Sequence, residues 1–388
     1  MRVIHKKVIH RIIDKVYHRD LLKNLVIFAV SISAVALSLS IYILLTIADL
    51  GFGKNGDMLK VHFLNIGQGD AIYIQSPNRN SMLIDSGPQN EKVISEVQKF
   101  KNIFDRKINA LLITHADADH IGSMKKVMED FEYQVFMHGG LKASTNLFKD
   151  LMSKVDSADN ADRNKSIVLT AGMNIILDSE KNIKFEALFP DFDFQIDAYK
   201  NCREKLLAKE VAAKTQSKIS KSNKKVSTAS IKSVTKKKKD ACLKSINTET
   251  NLNSIVGRLS YGSTSFMLTG DAPIEVEQFI ISKYKNQNHS SGVGATDIQS
   301  DVLKLGHHGS KTSTSPEFLE AVRPSYAIVS AGKDNRYGHP HKKVLDNIEA
   351  FRKSAFKNSH LDFEGIYRTD IDGTISFYSD GETVNRVK

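Results

Sequence analysis

The sequence predicts an α/β fold in which β-sheets stack as a sandwich, preceded by one transmembrane helix. Three observations support this prediction. Short apolar runs typical of buried strands recur along the chain, and most of them end in polar residues. One such strand, residues 109–113, is followed by residues 121–131, in which apolar side chains recur at helical spacing. Near the N terminus, residues 24–48 are almost wholly apolar.

The apolar segment 24–48 predicts an uncleaved membrane anchor. A helix of about 20 apolar residues spans a bilayer, whereas the apolar core of a cleaved signal peptide has only about 7–15 residues. Residues 1–23 contain seven Lys/Arg and two Asp, and Asp49 follows the span. Basic residues favour the cytoplasmic side. We therefore expect a single-pass protein of the cell membrane, with residues 1–23 as a basic cytoplasmic tail and the main domain, residues 57–380, extracellular.

The net charge of +11 is concentrated in one segment. Residues 203–244 contain fourteen Lys/Arg and three acidic residues, and the rest of the chain is balanced. This segment is rich in Ser, Thr and Ala and has no aromatic residue, so it cannot bury enough apolar surface to fold alone. We interpret this Lys-rich insertion as a flexible loop segment, which is either a solvated tether or a means of holding polyanions.

The two cysteines of the chain, Cys202 and Cys242, bracket the Lys-rich insertion. In an extracellular domain, a disulfide between the two ends of a long flexible loop is expected. The alternative is a pair of free thiols.

Residues 114–123, THADADHIGS, place two His and two Asp within six positions, separated by alanines. The segment lies where a predicted strand passes into a helix, so its consecutive side chains point toward a common centre. Carboxylates this close together repel each other unless a cation lies between them. We interpret the motif as a metal site.

Other polar residues also lie beside predicted strands, so we expect the strand ends to converge on one edge of the sandwich. These residues are Asp70, Asp85, Asp271, His307, His308 and His339. Asp70 and Asp85 are expected to fix loops beneath the site, and His62 to be a core histidine.

Six ordered motifs resemble those of the metallo-β-lactamase superfamily, and within it the soluble hydrolase domain of ComEC-type competence DNA-uptake proteins. They are NIGQGDA, LIDSG, THADADHIG, SIVGRLSYGSTSFMLTGDA, LKLGHHGSKTSTS and YGHPH. The resemblance covers most of residues 59–378, and the Lys-rich insertion is the main departure. It implies a four-layer αββα sandwich with two divalent metal ions at one edge.

The resemblance also implies the metal ligands. The first ion would be held by His115 and Asp117, the second by Asp119 and His120, and Asp271 would bridge them. Members of the superfamily usually have His where Asp117 stands. Because a carboxylate makes the site harder, we expect Mn²⁺ to be favoured, with Zn²⁺ as the alternative.

The roles of the remaining histidines are more open. The last ligand of the second ion is His307 or His339, and our assignment is His307. His308, and whichever of the two does not bind metal, are expected to protonate a leaving group or contact phosphate. His138 is a candidate for an additional first-site ligand, although a single His at a strand end more often has a structural role.

The loop after the HH pair offers a phosphate-binding site, with Ser310, Lys311 and Thr312 supplying two hydroxyls and a cation. The expected catalytic residues are therefore Asp119, His308, His339 and Lys311.

Two metal ions about 3.5–4 Å apart can hold a bridging hydroxide and neutralise the charge of a phosphodiester. We expect a membrane-anchored phosphodiesterase or nuclease that acts on extracellular DNA. The alternatives are hydrolysis of another ester, a lactone or a phosphocholine, and non-catalytic binding of DNA or another polyanion. No protein partner is predicted.

Overall fold

The computed structural model describes residues 28, 30–42, 58–102, 104–140, 143–161, 164–194, 250–287, 298–357 and 363–387. The chain divides into two compact units, Met1–Gly56 and Asp57–Lys388. The predicted cytoplasmic tail, the Lys-rich insertion and both cysteines lie outside the described residues.

The first unit contains the predicted membrane anchor, of which residues 28 and 30–42 are described. These residues are helical and their side chains are exposed. Among the described residues, no helix is both long enough and apolar enough to cross a membrane. The other residues of the predicted span 24–48 lie outside the described residues, so the transmembrane helix stays a prediction.

The second unit contains two mixed β-sheets. Within the described residues the first sheet has eight strands in the order β15-β14-β1-β2-β3-β4-β5-β6, with parallel pairing from β3 to β6 and antiparallel pairing elsewhere. Its strands are β1 Leu59–Phe63, β2 Ile72–Gln75, β3 Ser81–Ile84, β4 Ala110–Leu112, β5 Val135–His138, β6 Lys165–Val168, β14 Ile375–Ser379 and β15 Val384–Val387.

The second sheet has the same mixed character. Seven of the described strands form it, in the order β13-β12-β11-β10-β9-β8-β7, and pairing is parallel from β10 to β13 and antiparallel from β7 to β10. The strands are β7 Asn174–Asp178, β8 Ile183–Phe189, β9 Val256–Tyr261, β10 Thr264–Leu268, β11 Val302–Lys304, β12 Tyr326–Val329 and β13 Gly365–Arg368.

Helices pack on the outer face of each sheet. Along the first sheet these are α1 Lys92–Gln98, α2 Ala118–Ile121, α3 Met124–Asp130 and α4 Asn146–Asn160, and along the second α5 Ile274–Gln287, α6 Pro316–Val322 and α7 Lys342–Lys357, with the short α8 Thr369–Asp372 after β13. Between the sheets lies a third apolar cluster, in which the Phe266 and Phe377 rings meet edge to face at 6.2 Å. The predicted α/β sandwich is thus confirmed as a pair of mixed sheets.

The strand sequences explain which faces are buried. In β1, Leu59, Val61 and Phe63 alternate with polar residues and face the core between the sheets. In β3, which pairs in parallel with β4 and antiparallel with β2, Met82 and Ile84 face that core while Leu83 faces the helices. Parallel strands are covered on both faces, which is why β3 and β4 lack the polar alternation seen in β1.

His62 lies on the helix-facing side of β1. Its Nδ1 is 2.8 Å from the Ser376 hydroxyl, and its ring stacks on Phe100 with a centroid distance of 3.7 Å. The side chain is buried, as expected of a core histidine. Burial, and to a lesser degree the charge of Lys60, lowers the pKa of His62 to about 3.

This low pKa predicts that the metal-free domain loses stability on mild acidification. In the unfolded chain His62 is protonated below a pH of about 6.5. In the folded chain it stays neutral until the pH falls to about 3. The free energy of unfolding therefore decreases as the pH is lowered through this window, by up to about 1.4 kcal/mol per pH unit for one such group. We expect His62→Gln to flatten this dependence in urea unfolding with chelator present. Ser376→Ala is the matched control, because it removes the hydrogen bond but no titrating group. Equal slopes in the parent and His62→Gln would contradict the prediction.

Candidate metal centre

The candidate metal ligands lie where strands end, along one edge of the sandwich. The motif 115–120 follows β4, Asp271 follows β10, and His307 and His308 follow β11. The ends of the parallel strands bring these segments to the same edge. Residues far apart in the sequence therefore meet in one buried cluster.

Asp85 fixes the motif that follows β4. Its carboxylate accepts hydrogen bonds from the backbone N of Thr114 (2.8 Å) and the Thr114 hydroxyl (2.7 Å). The same carboxylate is 2.8 Å from Nδ1 of His120, which turns Nε2 of that ring toward the cluster. Asp85 thus has the loop-fixing role that the sequence predicted.

Gly69 permits the loop between β1 and β2 to approach this motif. A Cβ at Gly69 would lie 2.0 Å from the carbonyl oxygen of Asp119, and φ at this position is +124°. The next residue, Asp70, donates its backbone N–H to the same oxygen at 3.2 Å. A side chain at position 69 would therefore force the two loops apart.

One group of ligands surrounds His115. Its Nε2 lies 3.7 Å from Oδ2 of Asp117 and 3.7 Å from Oδ2 of Asp271, and Nε2 of His307 is also 3.7 Å from Oδ2 of Asp271. His115 is fully buried, and its Nε2 has no hydrogen-bond partner. The hydroxyl of Thr250 donates to Oδ1 of Asp117 at 2.6 Å, which orients that carboxylate.

A second group surrounds His120 and His308. Nε2 of His120 is 3.3 Å from Oδ1 of Asp271 and 3.4 Å from Nε2 of His308. Nε2 of His308 is in turn 3.3 Å from Oδ2 of Asp119 and 3.5 Å from Oδ2 of Asp271. The Asp271 carboxylate therefore lies between the two groups, at the place of the bridging ligand that the resemblance implies.

The structure places His308, rather than His307 or His339, in the second group. Nδ1 of His308 is held 2.9 Å from the carbonyl oxygen of Ser330, so its Nε2 points at the carboxylates. This is how metal-binding imidazoles are usually oriented. The ring of His339 lies farther out, with its centroid 6.0 Å from that of His308. The sequence-based assignment of His307 to the second ion thus differs from the arrangement observed, in which His307 borders the first group.

The backbone at this pair is strained. His307 and His308 both have left-handed conformations, with φ of 48° and 57°. A side chain in this region costs about 1–3 kcal/mol, and such strain persists mainly at functional sites. The two adjacent rings consequently point in different directions.

The ionisation of the cluster suits a cation site. Burial opposes a charge on Asp271, yet His308 and His120 hold the pKa of its carboxyl well below its usual range. Burial likewise disfavours protonation of His308, but Asp271, Asp119 and Asp70 raise its pKa to about 9. Burial lowers the pKa of His115 to about 3, so this ring is neutral. A metal ion would therefore displace a proton from His308.

The residues present fit divalent metal ions. Nε2 of His115 and Oδ1 of Asp271 are buried polar atoms with no hydrogen-bond partner, and both face the centre of the cluster. Imidazole nitrogens and carboxylate oxygens are donors for Mn²⁺ and Zn²⁺ alike. Four buried residues, Asp70, His120, Asp271 and His308, also bring one potential ligand atom each to within 4.8 Å of the others.

The other predicted site residues lie around this cluster. The Thr312 hydroxyl is 3.3 Å from Nδ1 of His307 and 3.0 Å from the hydroxyl of Ser310. Lys311 is exposed, and its backbone N–H donates to Nδ1 of His341. His138, the candidate for an additional ligand, lies at the end of β5 and accepts a hydrogen bond from the backbone N of Gly140, a structural role.

An open cavity of about 480 Å³ adjoins the first group. Asp117, His307 and Thr312 line it together with Thr250, Leu252 and Glu275. No sequence pattern indicated Thr250 or its neighbour Asn251, because they follow the Lys-rich insertion without any motif. Lys304 was missed as well, although a lysine within the apolar strand β11 was a signal that could have been used.

A family model of known proteins matches the part of the chain that carries the motif after β4. Residues 64–163, which include the whole motif after β4, match the family model described as the metallo-β-lactamase superfamily. Residues 64–163 are therefore similar to a metallo-β-lactamase domain. The resemblance stated from the sequence is thereby confirmed, and this similarity supports a metal-dependent hydrolase.

The chain is similar in sequence to several curated competence proteins of the ComEC type. The chain is 27% identical to ComE operon protein 3 of Bacillus subtilis over 82% of its own length and 33% of the relative's. It is 34% identical to competence protein ComA of Neisseria gonorrhoeae over 34% of the chain and 16% of that protein. Recombination protein 2 of Haemophilus influenzae is 38% identical over 28% of the chain and 12% of its own length. The chain thus spans about a third or less of these relatives.

Proposed function

We propose that this protein is a metal-dependent phosphodiesterase that hydrolyses DNA. The observation that carries the proposal is the Asp271 carboxylate, which lies 3.7 Å from His115 on one side and 3.3 Å from His120 on the other. When bound, a pair of divalent ions would neutralise the charge of a phosphodiester and activate water. The chain itself supplies the ligands, excludes water from their buried side and orients the substrate.

The residues outside the ligand set have separate tasks. Thr312 and Lys311 lie beside His307 and can contact the phosphate oxygens. Burial, followed by the charges of His308 and His307, lowers the pKa of His339 to about 4. This ring is therefore neutral at pH 7, and it is better suited to donating an N–H hydrogen bond to phosphate than to protonating a leaving group.

DNA as the substrate is inferred from two features. The relatives named above are, by their names, competence and recombination proteins. The Lys-rich insertion 203–244 carries fourteen basic residues, a charge that suits a polyanion. We also propose that residues 24–48 anchor the protein in the cell membrane with this domain outside.

The second candidate is hydrolysis of a different ester, a lactone or a phosphocholine. It is favoured by the apolar part of the cavity wall, which includes Leu252 and Pro273 beside the ligand Asp117. Superfamily membership alone does not choose between these reactions, because one fold carries many chemistries. A third candidate, non-catalytic capture of DNA, would leave the buried ligand cluster without a use.

Substrate profiling of the purified full chain tests the proposal. Metal content would be measured first, followed by turnover of single-stranded DNA, duplex DNA, a bis-aryl phosphate, a lactone and nitrocefin. We expect phosphodiester turnover that a chelator abolishes. Turnover of the lactone without any phosphodiester turnover would replace the first candidate by the second, and binding of DNA without any turnover would favour the third.

Replacing Asp117 tests the identity of the metal. A carboxylate at this position favours hard ions, and its position next to His115 places it in the first group. We expect Mn²⁺ to restore more phosphodiesterase activity to metal-free protein than Zn²⁺ does, and Asp117→His to reverse this order. Thr250→Val, which removes only the hydrogen bond to Asp117, is the control and should keep the order. If Zn²⁺ is the better ion in the parent protein, the assignment of a hard site is wrong.

Deleting residues 205–240 tests the role of the Lys-rich insertion. The deleted part carries most of the positive charge of the insertion, so we expect weaker DNA binding and a flatter dependence of affinity on salt, because fewer counterions are released. Turnover of a bis-aryl phosphate should change little. Replacing the same residues by a neutral Gly/Ser segment of equal length controls for loop length. Unchanged DNA affinity and an unchanged salt slope would reduce the insertion to a tether.

A further inference from the structure

The loop that follows β12 carries a concentration of positive charge beside the metal centre. This loop and the first two residues of α7, together residues 333–343, contain four Lys/Arg and one Asp, as well as His339 and His341. The Lys and Arg side chains of this segment are all exposed, and Lys342 pairs with Asp346. The exposed Lys311 lies alongside, because its backbone N–H donates to Nδ1 of His341. This rim of the site therefore attracts anions.

Asn335 holds the loop in a fixed shape. Its side-chain amide donates to the carbonyl oxygens of Gly332 (3.0 Å) and His339 (2.7 Å), and its Oδ1 accepts from the backbone N of His339 at 2.9 Å. Its own carbonyl accepts from Gly338. The residues between Asn335 and His339 thus form a closed turn, and the side chain at its tip is positioned in advance of any ligand.

The side chain at this tip is Tyr337, which is 47% exposed. One face of its ring stacks on His339, with centroids 5.6 Å apart and planes 20° from parallel. The His339 ring in turn lies 5.5 Å from that of His307, which borders the first group of metal ligands. A line of three rings therefore runs from the metal centre to the surface.

Arg336 completes the arrangement at the outer end of this line. Its guanidinium lies 5.0 Å from the centroid of the Tyr337 ring and donates to the phenol oxygen at 2.9 Å. Arg336 is exposed, so its side chain can move to admit a flat group against the ring. Beside Tyr337, a Cβ at Gly338 would find no atom within 4 Å, so the space on that side is open.

We propose that Tyr337 and Arg336 form a platform on which one base of single-stranded nucleic acid stacks, next to the phosphate held at the metal centre. An exposed aromatic ring with an adjacent guanidinium is the arrangement that binds unpaired bases without regard to sequence. Bases in a duplex are already stacked on one another, so the platform selects single strands. This inference rests on the proposed phosphodiesterase function and names the form of its substrate.

Binding of a short single-stranded oligothymidylate to the metal-loaded full chain tests the platform. Phosphorothioate linkages would slow hydrolysis during an anisotropy titration. We expect Tyr337→Ala to raise Kd by a factor between about 5 and about 150, the range found for loss of one base–aromatic stack, and Tyr337→Phe to remain close to the parent. Phe104→Ala is the matched control, because Phe104 is 80% exposed but precedes β4, at the opposite end of that strand from the site.

An oligomer of abasic sites makes the test specific for the base. The parent should bind it about as weakly as Tyr337→Ala binds oligothymidylate, and Tyr337→Ala should cause no further loss. Equal affinity of Tyr337→Ala and the parent for oligothymidylate would overturn the platform, and so would an equal loss on abasic and normal strands. Failure of the proposed function would be seen separately, as an absence of phosphodiester turnover in the parent, and these binding measurements do not depend on turnover.

Discussion

Asp271→Asn is expected to abolish phosphodiester turnover while leaving the domain folded. The Asp271 carboxylate lies between the two ligand groups and has a buried oxygen without a hydrogen-bond partner, so we expect its charge to hold cations. Changes in residues that merely orient metal ligands already cost about 10- to 100-fold in metal affinity or activity. Loss of a bridging ligand should therefore cost more than about a hundredfold.

Metal content and activity would be measured together for this variant. We expect it to retain fewer ions per chain than the parent after dialysis, and its circular dichroism spectrum to match that of the parent. Asp150→Asn, on the exposed face of α4, is the control for the loss of one carboxylate and should behave as the parent does. If Asp271→Asn keeps both its metal and its activity, the assignment of Asp271 as a metal ligand is wrong.

Lys304→Met is expected to destabilise the metal-free domain by about 3–5 kcal/mol, the cost of breaking a buried ion pair. Nζ of Lys304 lies 2.8 Å from Oδ2 of Asp70, and both side chains are almost fully buried. Neither oxygen of Asp70 has a hydrogen bond of good geometry, so the attraction is chiefly electrostatic. Burial would raise the pKa of Asp70, yet Lys304 and, after it, His308 lower it to about 2. The variant would therefore leave a buried carboxylate that has lost its principal counter-charge.

A second substitution distinguishes this cost from simple loss of packing. Asp70→Asn added to Lys304→Met removes the charge of the carboxylate that lost its lysine, and we expect it to recover most of the lost free energy of unfolding in urea titrations with chelator. Lys342→Met is the matched control, because its partner Asp346 is exposed and such surface pairs contribute about 0–1 kcal/mol. If the double variant is no more stable than Lys304→Met alone, the pair does not act through charge.

Much of the site could be predicted from the sequence because metal ligation depends on local spacing. The four ligand-type residues from His115 to His120 lie within six positions of the chain. They directly follow one strand, so the end of that strand brings all four to the same place. The alternation in β1 and the uninterrupted apolar strands likewise predicted a sheet sandwich before any contact was known.

The choice between neighbouring histidines could not be made in this way. His307 and His308 are adjacent, and nothing in the sequence indicates which of the two rings faces the metal ligands. Their directions are decided by left-handed backbone angles and by the carbonyl oxygen of Ser330, which directly follows β12.

The sequence by itself determined the fold class, the ligand types and the strand ends that carry them, since these follow from periodicity and side-chain chemistry. Only the tertiary structure decided which distant residues complete the site. Thr250 reaches Asp117 across 133 positions of the chain, and Asp70 meets Lys304 from the opposite sheet. Such pairings depend on how two sheets are stacked and registered, and local sequence carries no record of that geometry.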